Sequence, residues 1–153
     1  MTLTRPVLDC SLAQRLVAAA EAEAALMGHP IATAIVDNGG VLKAFSRMDE
    51  APMLTVQICQ DKAYTAAGFG LTTGQWRDMI AGDSALAAAA TAGIDRLVAI
   101  GGGEPILIDG VVVGGIGVSG GTPSQDAEVA AAAVARAQSA SVAGMSAGAG
   151  PDG

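Results

Sequence analysis

From Gly101 to Asp126 the chain reads GGGEPILIDGVVVGGIGVSGGTPSQD, and few folds accept so many glycines inside an otherwise apolar, β-branched stretch. Glycine in a strand has no side chain to pack, so it marks a bulge, a bend or the close approach of another backbone. Gly115-Ile116-Gly117-Val118-Ser119-Gly120 also has the G-x-G-x-x-G spacing of a dinucleotide-binding turn. That turn needs a strand before it, a helix after it, and then a parallel strand that brings an acid to the ribose about 20 residues on. The first two conditions hold. Beyond the helix, however, stand Arg136, Gln138 and Ser139, with no acid and no strand before the tail. The steric reading takes its place: a strand pressed against a covering helix or a neighbouring chain. Gly117-Val118-Ser119-Gly120-Gly121 also spells the G-x-S-x-G of a nucleophile elbow, but His29 precedes the serine and the sheet is too small for that hydrolase fold.

The rest of the chain gives the context. Asp9 or Ser11 caps a first helix over Leu12–Met27, which Gly28 ends and Pro30 prevents from continuing. Ile31–Asp37 reads as a strand buried on both faces, and Asn38-Gly39-Gly40 turns it into a return strand, Val41–Arg47. In that return strand Val41, Lys43, Phe45 and Arg47 share one side. A second helix covers Leu54–Phe69, with Lys62 a lone cation between Ile58 and Ala66. A short helix over Gln75–Ala81 and an alanine-rich turn or helix over Ser84–Ala92 lead to three strands, Leu97–Ile100, Ile106–Ile108 and Val111–Val118. Asp109-Gly110 between the last two is a type I′ hairpin signal. Thr122 or Ser124 caps a last helix that runs to about Ser139, with Asp126 and Glu128 in its first turn. The order is a hairpin followed by a meander, not alternating βαβ units. It predicts an α+β fold, a five-stranded antiparallel sheet covered by helices. One domain spans residues 1–143, and the small, polar stretch 144–153 is expected to be a flexible tail.

Charge and composition exclude several classes of partner. A net charge of −7 argues against nucleic acid, which needs clustered Lys and Arg, and against anionic membrane surfaces. No apolar run reaches the ~20 residues of a membrane span. The N-terminus lacks an apolar signal core, so the chain is read as cytoplasmic. Hydrophobic residues make up 51% but aromatics only 3%, so the core must come from small aliphatic side chains. Cys10 and Cys59 are expected to be free thiols, and one histidine with scattered acids makes no metal set.

Four charges stand among apolar or small neighbours: Arg47, Asp49, Lys62 and Asp126. They form either structural ion pairs, Lys62 or Arg47 with Asp49 or Asp126, or a pocket for a small anion. As an enzyme, the chain would use Lys62 with Asp49 or Asp126 as acid and base, with Arg47 holding a substrate carboxylate. As a binding protein, it would offer the backbone N–H groups from Ser119 to Ser124 to a carboxylate or propionate. Ser119 to Asp126 then forms one wall of the site, facing Lys62. His29 is read as a helix-end group or as a ligand or base.

Five motifs occur in one order: Ile35-Val36-Asp37-x-Gly39-Gly40, Phe45-Ser46-Arg47-Met48-Asp49, Lys62-Ala63-x-Thr65-Ala66, Gly102-Gly103-x-Pro105-Ile106, and Gly114-x-Ile116-Gly117-Val118-Ser119-Gly120-x-Thr122-x-x-Gln125-Asp126. Over roughly Leu12 to Arg136 the chain resembles the GlcG/HbpS family of small haem-binding proteins. It is also similar to the C-terminal domain of PduO-type cobalamin adenosyltransferases. The resemblance implies a profilin- or PAS-like α+β sandwich and homo-oligomers from dimer to octamer. It also implies haem as a cofactor in some members, while others accompany glycolate or propanediol catabolism. Two functions follow. One is an oligomeric small-ligand or haem-binding protein, with porphyrin near the glycine stretch or at subunit surfaces and His29, Thr122, Ser119 and Arg47 as contacts. The other is a cofactor-independent isomerase, hydratase or lyase acting on a small carboxylate through Lys62, Asp49 and Asp126.

Overall fold

The computed structural model describes residues 1–147. Helix α1 (Cys10–Met27) begins where the Asp9 carboxylate accepts the N–H of Leu12 at 2.7 Å, and ends at Gly28. Strands β1 (Ala32–Asp37) and β2 (Leu42–Arg47) form the expected hairpin. Its turn is held by the Asp37 carboxylate, which accepts the N–H groups of Gly39 and Val41 at 2.9 and 3.1 Å. Helices α2 (Thr55–Phe69), α3 (Thr73–Ala81) and α4 (Ser84–Gly93) follow. Strands β3 (Gly103–Ile108) and β4 (Val111–Ser119) make a second hairpin. At its tip Asp109 and Gly110 have φ of 51° and 76°, the two positive values a type I′ turn requires. Helix α5 (Pro123–Ala147) closes the fold.

The described residues contain one four-stranded antiparallel sheet, in the order β2-β1-β4-β3, rather than five strands. Leu97–Ile100 has strand-like letters but no strand partner. The N–H of Val98 donates to Thr65 Oγ1 at 3.1 Å, and that hydroxyl donates to the Arg96 carbonyl at 3.0 Å. Leu97 and Ala99 pack on Trp76, Ile80 and Ala90, so the segment's apolar side chains serve a satellite cluster under α3 and α4. Strand β3, conversely, starts three residues before its apolar run and includes Pro105, which an edge strand tolerates. In β2 the register shifts between Ile35 and Val36, so that Leu42 pairs with Val36 and Ala44 with Ile35. Lys43 is left out of the pairing, and Leu42 joins the side of Phe45 and Arg47 instead of alternating against it. Helix α5 continues through residues 144–147, and the remainder of the expected tail, 148–153, lies outside the described residues.

The sheet is sandwiched unequally. Leu16, Ile35, Ile106, Ile116, Val118 and Val129 fill the layer under α1 and α5. On the other face α2 lies on β4, β1 and β3, and the layer holds only Ala32, Ala34, Val36, Cys59 and Ala63, flanked by Ala67. Gly115 and Gly117 face this helix. A Cβ on Gly117 would overlap the Cys59 carbonyl oxygen and lie 2.6 Å from the Ala63 nitrogen. A Cβ on Gly115 would overlap the Ala63 carbonyl oxygen and lie 3.0 Å from the Ala67 nitrogen. The helix therefore rests on strand backbone, and the G-x-G spacing is the footprint of α2.

Candidate functional site

Lys62 leaves α2 within this close contact, and its side chain turns toward the open end of the β3–β4 ladder. Its Nζ donates to the Asp126 carboxylate at 2.9 Å and to the Val118 carbonyl at 2.8 Å. Relative exposure of the two side chains is 1% and 4%. The pair joins a helix on one face of the sheet to a helix on the other. Room for it comes from Gly102, with φ of 124°: a Cβ there would stand 2.7 Å from Lys62 Nζ and 2.9 Å from Asp126 Cβ. The other Asp126 oxygen accepts the Gly121 N–H at 2.8 Å. Being in the first turn of α5, Asp126 also gains from the positive end of the helix dipole. The sequence-based juxtaposition of Lys62 with the Ser119–Asp126 segment is thus present, as a closed ion pair.

The N-terminus of α5 is filled from within. Thr122 Oγ1 accepts the Gln125 N–H at 3.2 Å, and Gln125 Oε1 accepts the Thr122 N–H at 2.9 Å, a reciprocal capping box. With Gly121 bound to Asp126, two of the amides expected to cradle a carboxylate are already engaged. Thr122 itself is exposed, and Ser119 is buried at the end of β4.

Arg47 and Asp49 lie apart from the Lys62–Asp126 pair. Arg47 pairs across the sheet with Ala32, which in turn pairs with Ser119, so β1 separates it from β4. Its guanidinium is exposed and donates to the Ala51 carbonyl at 3.2 Å. Asp49 is exposed in the loop after β2. With Glu21 and Met48 these two line an open cleft of about 420 Å³. Glu21 accepts a hydrogen bond from the Ser46 hydroxyl. His29 follows α1 at the same end of the sheet. Its backbone N–H closes the helix on the Ala24 carbonyl at 3.0 Å, while its half-buried imidazole makes no hydrogen bond among the described residues. The neighbouring Pro30 and Ile31 touch both sides of this end. The Met48 N–H donates to the Ile31 carbonyl at 2.9 Å, and a Cβ on Gly120 would overlap the Pro30 carbonyl. His29, Arg47, Ser119 and Thr122 therefore belong to one end of the sheet, and of the four only Arg47 lines the open cleft there.

Residues 8–135 match the family model described as "Haem degrading protein HbpS-like". The chain belongs to the HbpS-like family. It is 37% identical to Protein GlcG of Escherichia coli K12 over 116 residues, which cover 76% of this chain and 84% of GlcG. The crystal structure of Klebsiella pneumoniae protein ORFY superposes with a TM-score of 0.82 at 28% identity, covering 90% of this chain and 97% of ORFY. That of a PduOC–haem complex gives 0.79 at 29%, covering 85% and 94%. The α+β architecture and the relation to haem-associated small proteins rest on these matches. No helix of the described residues is long and apolar enough to cross a membrane.

Two further groups show how burial tunes acidity. Burial pushes the Cys59 thiol up to about 12, so it stays protonated as a packing group in the α2 layer. Glu104 is half-buried on β3, its carboxyl has no hydrogen-bond partner among the described residues, and burial raises that carboxyl above the ordinary 4.5. The signal for it was its place between Gly103 and Pro105 at the start of a strand, which sequence reasoning passed over. Because its folded value lies above its unfolded one, the folded state holds the proton more tightly. Stability therefore falls as pH rises through the window from 4.5 to the raised value. Glu104→Gln is expected to raise the urea midpoint at pH 7 slightly and to lose that gain below the window. A gain that persists unchanged into acid would show the carboxylate is not the cause.

Proposed function

We propose that the protein is a homo-oligomeric small-ligand-binding protein whose ligand is haem or a similar tetrapyrrole, held at the sheet end that carries His29. The observation behind this reading is the His29 imidazole, half-buried, without a hydrogen bond among the described residues and the chain's one histidine. An imidazole ring nitrogen is a common ligand for iron. Arg47 adds an exposed cation for a propionate. Phe45, on the same side of β2, adds an exposed ring that a macrocycle can cover. Bound haem would supply a redox-active iron, and the residues present fit it as an open site rather than an enclosed one. An open site leaves part of the macrocycle uncovered. Self-association, which small-residue helix faces favour, covers it.

The acid–base alternative finds less support. It needs Lys62 and Asp126 within reach of a substrate that Arg47 holds. Instead the ammonium and carboxylate are buried against each other, with Arg47 and Asp49 exposed elsewhere.

Titration with hemin decides between them. The expected result is a Soret shift that saturates, together with a change in sedimentation. His29→Ala should abolish the shift, and Arg47→Ala should weaken binding by about fivefold. An unshifted Soret band, or the same shift in His29→Ala, would count against the reading.

A further inference from the structure

At the opposite end of the sheet, beyond the β3–β4 turn, a cleft of about 480 Å³ opens between α1, α5 and the hairpin. Its volume falls in the range of small-molecule sites, roughly 300–1,000 Å³. The floor is aliphatic: Leu12 and Leu16 from α1, Ile106 and Ile108 from β3, Val134 from α5. Two polar side chains line it, Asp109 and Gln138. The Gln138 Nε2 donates to the Leu107 carbonyl at 3.1 Å. The Asp109 carboxylate is exposed at the turn and has no ion-pair partner among the described residues. Cations on the adjoining segments are turned elsewhere. Arg5 donates to the Val112 carbonyl at 3.3 Å and Arg15 to the Ser11 hydroxyl at 2.6 Å, and neither lines the cleft.

An aliphatic trough whose lining carries a carboxylate, Asp109, and no cationic side chain selects a ligand with an apolar body and a cationic donor head. Carboxylates and propionates meet the wrong charge there, which separates this cleft from the end that carries His29 and Arg47. We propose that the hairpin cleft is a second ligand site, for aliphatic primary amines in their ammonium form, with Asp109 as the charge-selecting residue. The head group would lie against the Asp109 carboxylate, and the chain would lie along Leu12, Leu16 and Val134.

The test uses the full chain and three probes with the same eight-carbon tail: octylammonium, octanol and octanoate, compared by calorimetry at pH 7. Octylammonium is expected to bind best and octanoate worst. Asp109→Asn keeps a residue that tolerates the positive φ of this turn. It should weaken octylammonium by about fivefold, the scale of an exposed charge pair, while leaving octanol unchanged. Val134→Trp, which fills the trough from its half-buried α5 face, should weaken all three. Octanoate binding as well as octylammonium, an unchanged octylammonium affinity in Asp109→Asn, or no binding of any probe would each overturn the proposal. The hemin result leaves this outcome untouched, because the two sites lie at opposite ends of the sheet.

Discussion

Gly117→Ala is expected to destabilise the domain by more than ~3 kcal/mol, at or beyond the upper end of ordinary overpacking. The added methyl would land on the Cys59 carbonyl oxygen and against the Ala63 nitrogen, which are backbone atoms of α2 and cannot rotate aside as a side chain can. Relief requires the whole helix to lift. The layer beneath it is alanine, valine and cysteine, so little buried area is left to hold a lifted helix in place. Lifting α2 would also draw Lys62 away from Asp126. Native domains have only ~5–15 kcal/mol to lose, so the variant should be strongly shifted in urea melts or fail to fold. Gly68→Ala is the matched control. It lies in the same helix with no atom within 4 Å of its added methyl, and it should be stabilising by ~0.5–1 kcal/mol through helix propensity alone. A Gly117→Ala midpoint within error of the wild type would mean that α2 does not rest on β4 as described.

The same contact explains what was legible in the sequence and what was not. Both hairpins were readable, because Asn38-Gly39-Gly40 and Asp109-Gly110 are local signals with a local cause. The motifs that carry the family resemblance turn out to be largely architecture. Lys62 and Asp126 are the buried pair, Ala63 lies under Gly115 and Gly117, and Thr65 ties Arg96 to Val98. Thr122 and Gln125 cap α5, and Gly102 clears the space beside Lys62. Leu97–Ile100 could not be resolved from its letters, since four apolar residues fit a strand or a packed coil equally well. Its partner, the Thr65 hydroxyl, is remote in sequence. The ion pair stood among several combinations of two cations with two acids. Only the sheet order, with β1 between β2 and β4, removes Arg47 and Asp49 from it. The hairpin-end cleft gave no signal, because its walls come from three separated segments whose residues look like ordinary core.

Breaking the Lys62–Asp126 pair from either side should then be costly in a way that the double change is not. Lys62→Met leaves a buried carboxylate whose remaining donor is the Gly121 N–H, and it strips the Val118 carbonyl of its side-chain donor. Asp126→Asn leaves a buried ammonium with one neutral carbonyl and an amide. Removing one member of a buried pair costs about 3–5 kcal/mol, most of it the desolvation of the charge left behind. In Lys62→Met/Asp126→Asn no such charge remains. Asparagine keeps an acceptor for Gly121, and methionine keeps most of the lysine stem's packing. The double variant is therefore expected to recover a large part of the loss, with a coupling of roughly 1–3 kcal/mol in the four-member cycle measured by urea denaturation. It should still bind hemin where it folds, since both groups are buried against each other and neither lines the cleft that holds Arg47. Two outcomes would defeat the structural role given to the pair. Costs that simply add, each under ~1 kcal/mol, would place the two charges in water. Full stability of the double variant with hemin binding lost would make the pair part of the ligand site rather than the clamp that ties α2 to α5 across the end of the sheet.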